Sequence, residues 1–386
     1  MPVSAAHIGM VAAEASGDLL AAHLISALKD RRPGLGFSGI GGLKMAEQGF
    51  ESQAPMDKLG VRGYVEVLRR YREISGIRRR IAARMLAERP AVFVGVDASD
   101  FNLVLERRLK DAGIPAVHYV SPAIWAWRGW RIRRIARSVT HLLALFPFEA
   151  ALYEQTGLPV TYVGHPLADL IPMEPDRGKA RVELRIPAGR RLFALLPGSR
   201  HSELHYMADL FVKTARRLLQ DRPDAHFIVP TASRATRDMF EAALRRNEGR
   251  DLPLTLLFGH SHEALAAADI ALVASGTATL ETALFKTPMV ITYRQSPLTT
   301  VLMRRMGYLP YIGLPNIVAG EHFVPELLQD KATPDALAGA LLELLHDAGA
   351  QRRQIEKFRD IHVLLRQNTA QKAADAVLAV MDAGRA

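Results

Sequence analysis

The chain contains no cysteine among its 386 residues. That excludes disulfides, iron–sulfur clusters and thiolate zinc sites, and it fits a reducing compartment. No apolar run approaches the ~18 residues that a membrane-spanning helix needs, so any membrane contact is expected to be peripheral. The start has no basic region, and its short apolar stretch runs into Glu14-Ala15-Ser16-Gly17-Asp18. It reads as a buried strand followed by a loop, not as a secretion signal, and a cytoplasmic protein is expected. The G-x-S-x-G and Walker A patterns are absent, and with them the commonest hydrolase and P-loop signatures. His201 and His205 stand four apart without a third ligand, so no metal site is expected.

What is present is a globular composition, 49% hydrophobic and 23% charged, with a net charge of +10. The length suggests about two or three domains. The charge is uneven: residues 62–137 hold 17 basic and 7 acidic side chains, an excess of 10 (17 minus 7). Such a patch favours an anionic partner.

Short apolar runs alternate with amphipathic helical stretches. Runs at 8–12, 92–96, 116–120, 142–146 and 161–164 read as buried strands. A proline-bearing stretch at 166–175 reads as a linker, after which strands recur at 192–196, 226–229, 254–258, 270–274 and 289–293. From Pro334 the pattern is helical only. The fold class expected is α/β: two doubly wound, Rossmann-like domains facing a central cleft, with a helical C-terminal tail. The domains are expected at 1–166 and 167–349, with the tail 350–386 completing the first or pairing with another subunit as a homodimer. Ligands in such folds lie at the carboxyl ends of the strands, where the strand order reverses.

The residues that follow the strands therefore carry the chemistry. The run at 192–196 ends in Pro197-Gly198-Ser199-Arg200 and opens a helix, whose N–H groups and neighbouring guanidinium suit a phosphate. The run at 270–274 ends in Ser275-Gly276-Thr277, a second turn of this kind, with Glu281 one turn on, where a carboxylate can hold a ribose diol. Two anion turns and an acid at that offset point to a nucleoside diphosphate. The run at 92–96 ends in Asp97, placed to act as a general base or to brace the loop. Asp100 suits the cap or first turn of the next helix. The D-x-x-D spacing gives no reason to invoke Mg²⁺. Glu14, Ser16 and Gly17 follow the first strand, with Asp18 as a cap.

All three tryptophans, Trp125, Trp127 and Trp130, fall within 121–130, and Arg128, Arg131, Arg133, Arg134 and Arg137 accompany them. A second basic run, Arg69, Arg70, Arg72, Arg78, Arg79, Arg80 and Arg84, is interleaved with Val65, Leu68, Tyr71, Ile74, Ile77 and Ile81. Basic and apolar residues mixed at helical spacing suit an anionic membrane surface. Nucleic acid competes for such charge, but no zinc-finger, RNP or basic-zipper pattern accompanies it, so no nucleic-acid partner is expected.

Taken in order, the motifs E-A-S-G-D (14–18), V-R-G-Y-V-E-V-L (61–68), V-F-V-G-V-D-A-S-D-F-N (92–102), H-Y-V-S-P-A-I-W-A-W-R (118–128), F-P-F-E (146–149), L-L-P-G-S-R with Glu203, A-S-G-T-A-T-L-E (274–281), L-P-N-I (314–317) and E-L-L-Q (326–329) resemble the lipid-A-disaccharide synthases, inverting glycosyltransferases of the GT-B fold. Three small departures stand beside them: Ala13 where the family has Gly, Ser99 where it has Pro, and Ala123-Ile124 where it has Ser-Val. The resemblance implies transfer of 2,3-diacylglucosamine from UDP-2,3-diacylglucosamine to the 6-hydroxyl of 2,3-diacylglucosamine 1-phosphate, with release of UDP and no cofactor. It implies Asp97 as the base. On the nucleotide side it implies Arg200, Ser199, Gly276, Thr277, Glu281 and Asn316. The acceptor or cleft group is Glu14, Ser16, Ser121, Trp125 and Gln329. Arg69, Arg72, Arg78, Arg79 and Arg80 are expected at the inner-membrane surface. The nearest alternative is a UDP-sugar epimerase of the same fold, which has no need of the Trp- and Arg-rich first half. A non-catalytic lipid- or nucleic-acid-binding protein explains the charge but not Asp97.

Overall fold

The computed structural model describes residues 6–59, 64–124, 131–187, 189–296 and 310–384, with the side chains of 57 and 64–71 left out. The chain forms two compact units: residues 1–169 together with 365–386, and residues 170–364.

The first unit is built on seven parallel strands: β1 (His7–Ala12), β2 (Gly36–Ile40), β3 (Glu51–Ser52), β4 (Val92–Val96), β5 (Ala116–Tyr119), β6 (His141–Ala144) and β7 (Val160–Tyr162). Their order is β3-β2-β1-β4-β5-β6-β7, so the winding reverses between β1 and β4. Between the strands run α1 (Ala15–Arg31), α2 (Leu43–Glu47), α3 (Tyr64–Glu88), α4 (Ser99–Asp111) and α5 (Ile132–Ser138). β1 from Ile8 onward and β4 throughout are apolar and buried because helices cover both faces of the sheet. On α3, Ile77, Ile81 and Met85 recur every fourth residue and are buried with Phe93, Phe101 and Leu105.

A short helix, α6 (Pro166–Leu170), occupies the start of the expected linker, and α7 (Arg177–Glu183) follows. The second unit holds six parallel strands: β8 (Arg191–Leu196), β9 (Ala225–Thr231), β10 (Leu254–Phe258), β11 (Ile270–Ala274), β12 (Met289–Tyr293) and β13 (Glu326–Leu328). They lie in the order β10-β9-β8-β11-β12-β13, reversing between β8 and β11. The helices are α8 (His201–Asp221), α9 (Arg234–Arg246), α10 (Ser261–Ala267), α11 (Thr277–Leu284), α12 (Leu314–Ala319), α13 (Pro334–His346) and α14 (Ala348–Leu365). Strand alternation divides the core. Phe193 and Leu195 join the layer under α8 and α13, whereas Leu192, Ala194 and Leu196 join the layer with Leu265 of α10 and Phe358 of α14.

The tail divides at 364/365, later than the boundary near 350 that the helical pattern suggested. α14 stays with the second unit because Gln354 brackets the Met289 backbone at 2.9 and 3.2 Å and Phe358 is fully buried. Only α15 (Thr369–Ala383) returns to the first unit. There Arg31 pairs with Asp375, and Arg32 with Asp382 at 2.8 Å. Asp169 accepts the N–H groups of Asn368 and Thr369 at 3.0 and 2.7 Å, which starts the helix.

Candidate functional site

In the first unit the sequence-derived candidates gather where the sheet reverses. Ala12 of β1 pairs with Val96 of β4, so Glu14 and Asp97 issue from neighbouring strand ends. Glu14 is half-buried in extended conformation before α1, and Ser16 is exposed on its first turn. Asp18, expected to cap α1, is buried and caps α2 instead: its carboxylate accepts the N–H groups of Gly42, Lys44 and Met45 at 2.8, 2.9 and 3.1 Å. A Cβ at Gly42 would approach an Asp18 oxygen to 2.4 Å, so that glycine is required. The clamp fixes the β2–α2 loop beside the entry to α1.

Asp97 is half-buried and has a left-handed backbone, φ +52°, followed by Ala98 at +44°; Val120, just after β5, lies at +84°. Three non-glycine residues in this region, all at the carboxyl ends of adjacent strands, concentrate backbone strain where a site is expected. The Asp97 N–H donates to Tyr119 O at 2.8 Å. Asp100 stands in the first turn of α4 and accepts a bond from Arg131 at 2.7 Å. Beneath the loop, Glu106 of α4 and His118 of β5 form a fully buried pair at 2.7 Å, and burial pushes the Glu106 carboxyl up. Ser121 follows β5 but is nearly closed to solvent, bonded to the Tyr153 hydroxyl at 3.1 Å. Burial raises that phenol to about 12. Trp125 lies outside the described residues.

In the second unit Leu196 pairs with Val273, which brings the two anion turns side by side. They differ. At the first, Glu203 fills the turn: its carboxylate accepts the N–H groups of Ser199 and Arg200 at 2.9 and 3.2 Å and pairs with the Arg200 guanidinium at 3.3 Å. Gly198, at φ +115°, leaves the space that the Glu203 side chain occupies. The Arg200 side chain is 58% exposed and Glu203 only 12%. Tyr293 lies close enough to feel both; burial raises its phenol first, then Glu203 pushes it further up while Arg200 pulls it down. At the second turn Gly276 has φ +145° and, with Thr277, is exposed at the open N-terminus of α11. This turn is held from behind: Ser275 Oγ donates to Ile312 O at 3.1 Å, and Thr279 Oγ1 accepts the Leu314 N–H at 3.2 Å. Glu281 follows on α11; burial raises its carboxyl above the usual range, and His262 draws it partly back.

Asn316 was expected at the nucleotide. It is fully buried and all its bonding capacity is committed: its amine donates to Val324 O and Glu326 Oε1, and its oxygen accepts from the N–H groups of Phe323 and Val324, at 2.8–3.1 Å. It holds Glu326, which in turn accepts from the N–H groups of Ile312 and Gly313, each at 2.9 Å. Asn316 therefore braces the loop behind the Gly276 turn, and its side chain has no polar atom left for a ligand. Gln329, grouped with the acceptor residues, lies in the second unit after β13, at φ +51°, and its side chain accepts the Gln295 N–H at 3.3 Å. Glu203 and Glu326 are site-building acids that do not stand at the carboxyl end of a strand; the S-R-x-x-E spacing is a helix-start signal for Glu203, while Glu326 carries no local signal.

On α3, Arg72, Arg79 and Arg80 are exposed, whereas Arg78 lies over the Phe101 ring at 5.8 Å and does not belong to the outward face. The Arg69 side chain is outside the described residues. No helix among the described residues is long and apolar enough to cross a membrane.

A family model described as lipid-A-disaccharide synthetase matches residues 8–380. The lipid-A-disaccharide synthase of Azoarcus sp. (strain BH72) is 58% identical over 97% of this chain and 96% of its own length. That of Methylobacillus flagellatus is 56% identical over 96% and 98%. Among solved structures, UDP-GlcNAc 2-epimerase from Neisseria meningitidis, bound to UDP-GlcNAc, superposes with a TM-score of 0.65 over 98% of this chain and 100% of its own, at 9% identity. At that identity the likeness is one of fold alone, so it does not favour an epimerase.

Proposed function

The chain belongs to the lipid-A-disaccharide synthetase family and is a glycosyltransferase that moves a sugar from a nucleotide carrier to a lipid acceptor; from that premise we propose how its own residues perform the transfer. The donor is UDP-2,3-diacylglucosamine and the acceptor 2,3-diacylglucosamine 1-phosphate. Asp97 takes the proton of the acceptor 6-hydroxyl as that oxygen bonds to the donor anomeric carbon. The bond from that carbon to the diphosphate breaks in the same displacement, UDP leaves, and the configuration inverts. The charge growing on the diphosphate falls to the Arg200 guanidinium and the open N–H groups at Gly276–Thr277. The proposed step uses no metal or cofactor. Glu281 receives the ribose hydroxyls. Asn316 acts from behind the Gly276 turn.

The observation that carries this reading is the concentration of left-handed, non-glycine backbone around Asp97 where the first sheet reverses. We assign the acceptor and the membrane to the first unit and the UDP-sugar to the second. Arg72, Arg79 and Arg80 rest on anionic lipid at the cytoplasmic face of the inner membrane.

The test is product identification by mass spectrometry after incubation with both substrates and a chelator. A disaccharide phosphate plus UDP is expected; a free epimerised sugar overturns the reading. Asp97→Ala is expected to lose turnover, by a factor of about 10²–10⁴ for a general base, while calorimetry still detects UDP binding. Near-native turnover of that variant removes Asp97 from the role of base.

A further inference from the structure

We propose that Asn102 is a positioning residue for Asp97. This deepens the reading of Asp97 as the base and rests on it. Asp97 and Ala98 carry successive φ angles of +52° and +44°. Residues with a Cβ disfavour that region, so something in the surroundings must hold them there. Three restraints are visible. The Asp97 N–H donates to Tyr119 O at 2.8 Å, and the Ala98 carbonyl accepts the N–H groups of Phe101 and Asn102 at 2.9 and 3.0 Å, as the first turn of α4 requires. The third restraint is the Asn102 side chain. Its Nδ2 lies 2.9 Å from Asp97 O and 3.3 Å from both Val96 O and Val11 O. One carboxamide thus ties the Asp97 peptide to the ends of β4 and β1.

The amide orientation is unambiguous, because three carbonyl oxygens can be faced only by its donor side. Asn102 is fully buried, and its own Oδ1 has no hydrogen-bond partner. A buried acceptor left unpaired is costly. The side chain leaves that acceptor unpaired while its donor side holds the strained loop. Gly95 belongs to the same arrangement: a Cβ there would come within 3.0 Å of the Asn102 side chain and 2.1 Å of Glu106 Oε1. With no side chain at 95, α4 lies close enough for Asn102 to reach across β4.

Three variants test the assignment: Asn102→Ala, Ala98→Gly and the double variant. Glycine adopts left-handed conformations readily, so Ala98→Gly is expected to raise the melting temperature and keep kcat within about twofold of native. Asn102→Ala is expected to lower kcat about 10- to 100-fold, as for a misplaced catalytic group, with the donor KM and UDP affinity unchanged within about twofold. Glycine at 98 in that background is expected to return about threefold or more of the lost kcat, since it relieves one of the two strained residues. Asn102→Ala with native kcat, a loss of kcat that merely follows the folded fraction seen by circular dichroism, or no rescue by glycine each overturns the proposal. If Asn102→Ala does not fold, Asn102→Leu, close in size and without the Nδ2 donor, takes its place: native kcat in that variant overturns the proposal. Failure of the base reading is seen separately, as turnover by Asp97→Ala.

Discussion

Arg200→Ala is expected to weaken UDP binding about 5- to 70-fold. The guanidinium is mostly exposed and its partner is Glu203, three residues on, at 3.3 Å. A hydrogen bond to a charged group contributes roughly 1.5–3 kcal/mol, and an exposed pair within one helical turn is worth about 0.3–0.5 kcal/mol. To meet a diphosphate the guanidinium must give up that pair, which leaves about 1–2.5 kcal/mol, and each 1.4 kcal/mol is tenfold in affinity. Glu203→Gln isolates the competing charge. The amide oxygen can still accept the Ser199 and Arg200 N–H groups, but the negative charge in the turn is gone, so UDP is expected to bind about twofold tighter. The assay is calorimetry with UDP and with uridine, at 50 and at 200 mM salt. Only UDP carries the diphosphate, so uridine affinity should not change in either variant. The difference between native and Arg200→Ala should shrink at the higher salt, because the group is exposed. Equal UDP affinity of native and Arg200→Ala protein, or an equal loss for uridine, refutes the assignment.

Glu281→Gln has opposite consequences for stability and binding. Burial holds the Glu281 carboxyl above its ordinary value of 4.5, so its contribution to stability is full below that value and is lost as pH rises through the folded-state value. The variant is expected to melt higher than native at pH 8, to match it at pH 4 and to bind UDP more weakly; a lower melting temperature at pH 8 contradicts this. His165 has the reverse sign. Burial lowers its imidazole from 6.5 to about 4, so stability present above 6.5 is lost as pH falls towards 4. The gap of 2.5 (6.5 minus 4) corresponds to roughly 3 kcal/mol. His165→Asn keeps a side-chain acceptor for the Leu167 N–H and is expected to flatten the acid limb of a melting-temperature profile; an unchanged profile assigns acid lability elsewhere. Replacing Arg72, Arg79 and Arg80 with Ser is expected to weaken binding to phosphatidylglycerol vesicles by up to about 100-fold at low salt, at ~1 kcal/mol per basic residue. Unchanged partitioning moves membrane contact off α3.

Much of the architecture is legible in short stretches. Strands at 8–12, 92–96, 192–196 and 270–274 announce themselves because a parallel strand buried on both faces is apolar throughout. The turns after them are legible because glycine is needed where the chain must reverse closely, as at Gly198 and Gly276. β2 is not legible, since Gly36-Phe37-Ser38-Gly39-Ile40 has two glycines and a serine in five residues. Gly39 sits at φ +144° with its Cβ position 1.9 Å from Met10 O, a packing constraint imposed by β1 and invisible locally. β13, three residues long, is too short to show a period.

The sequence by itself therefore determined the α/β alternation, the strand-end positions of Asp97, Arg200 and Glu281, and, through its ordered motifs, the family. The tertiary structure alone decided which of two similar turns is open, that Asn316 is buried and fully bonded, that α14 and α15 serve different units, and that Asn102 reaches a carbonyl 91 residues away. The division has one physical cause. Periodicity and turn chemistry act between near neighbours along the chain, whereas the occupancy of a hydrogen-bonding group depends on what folding brings against it from far away.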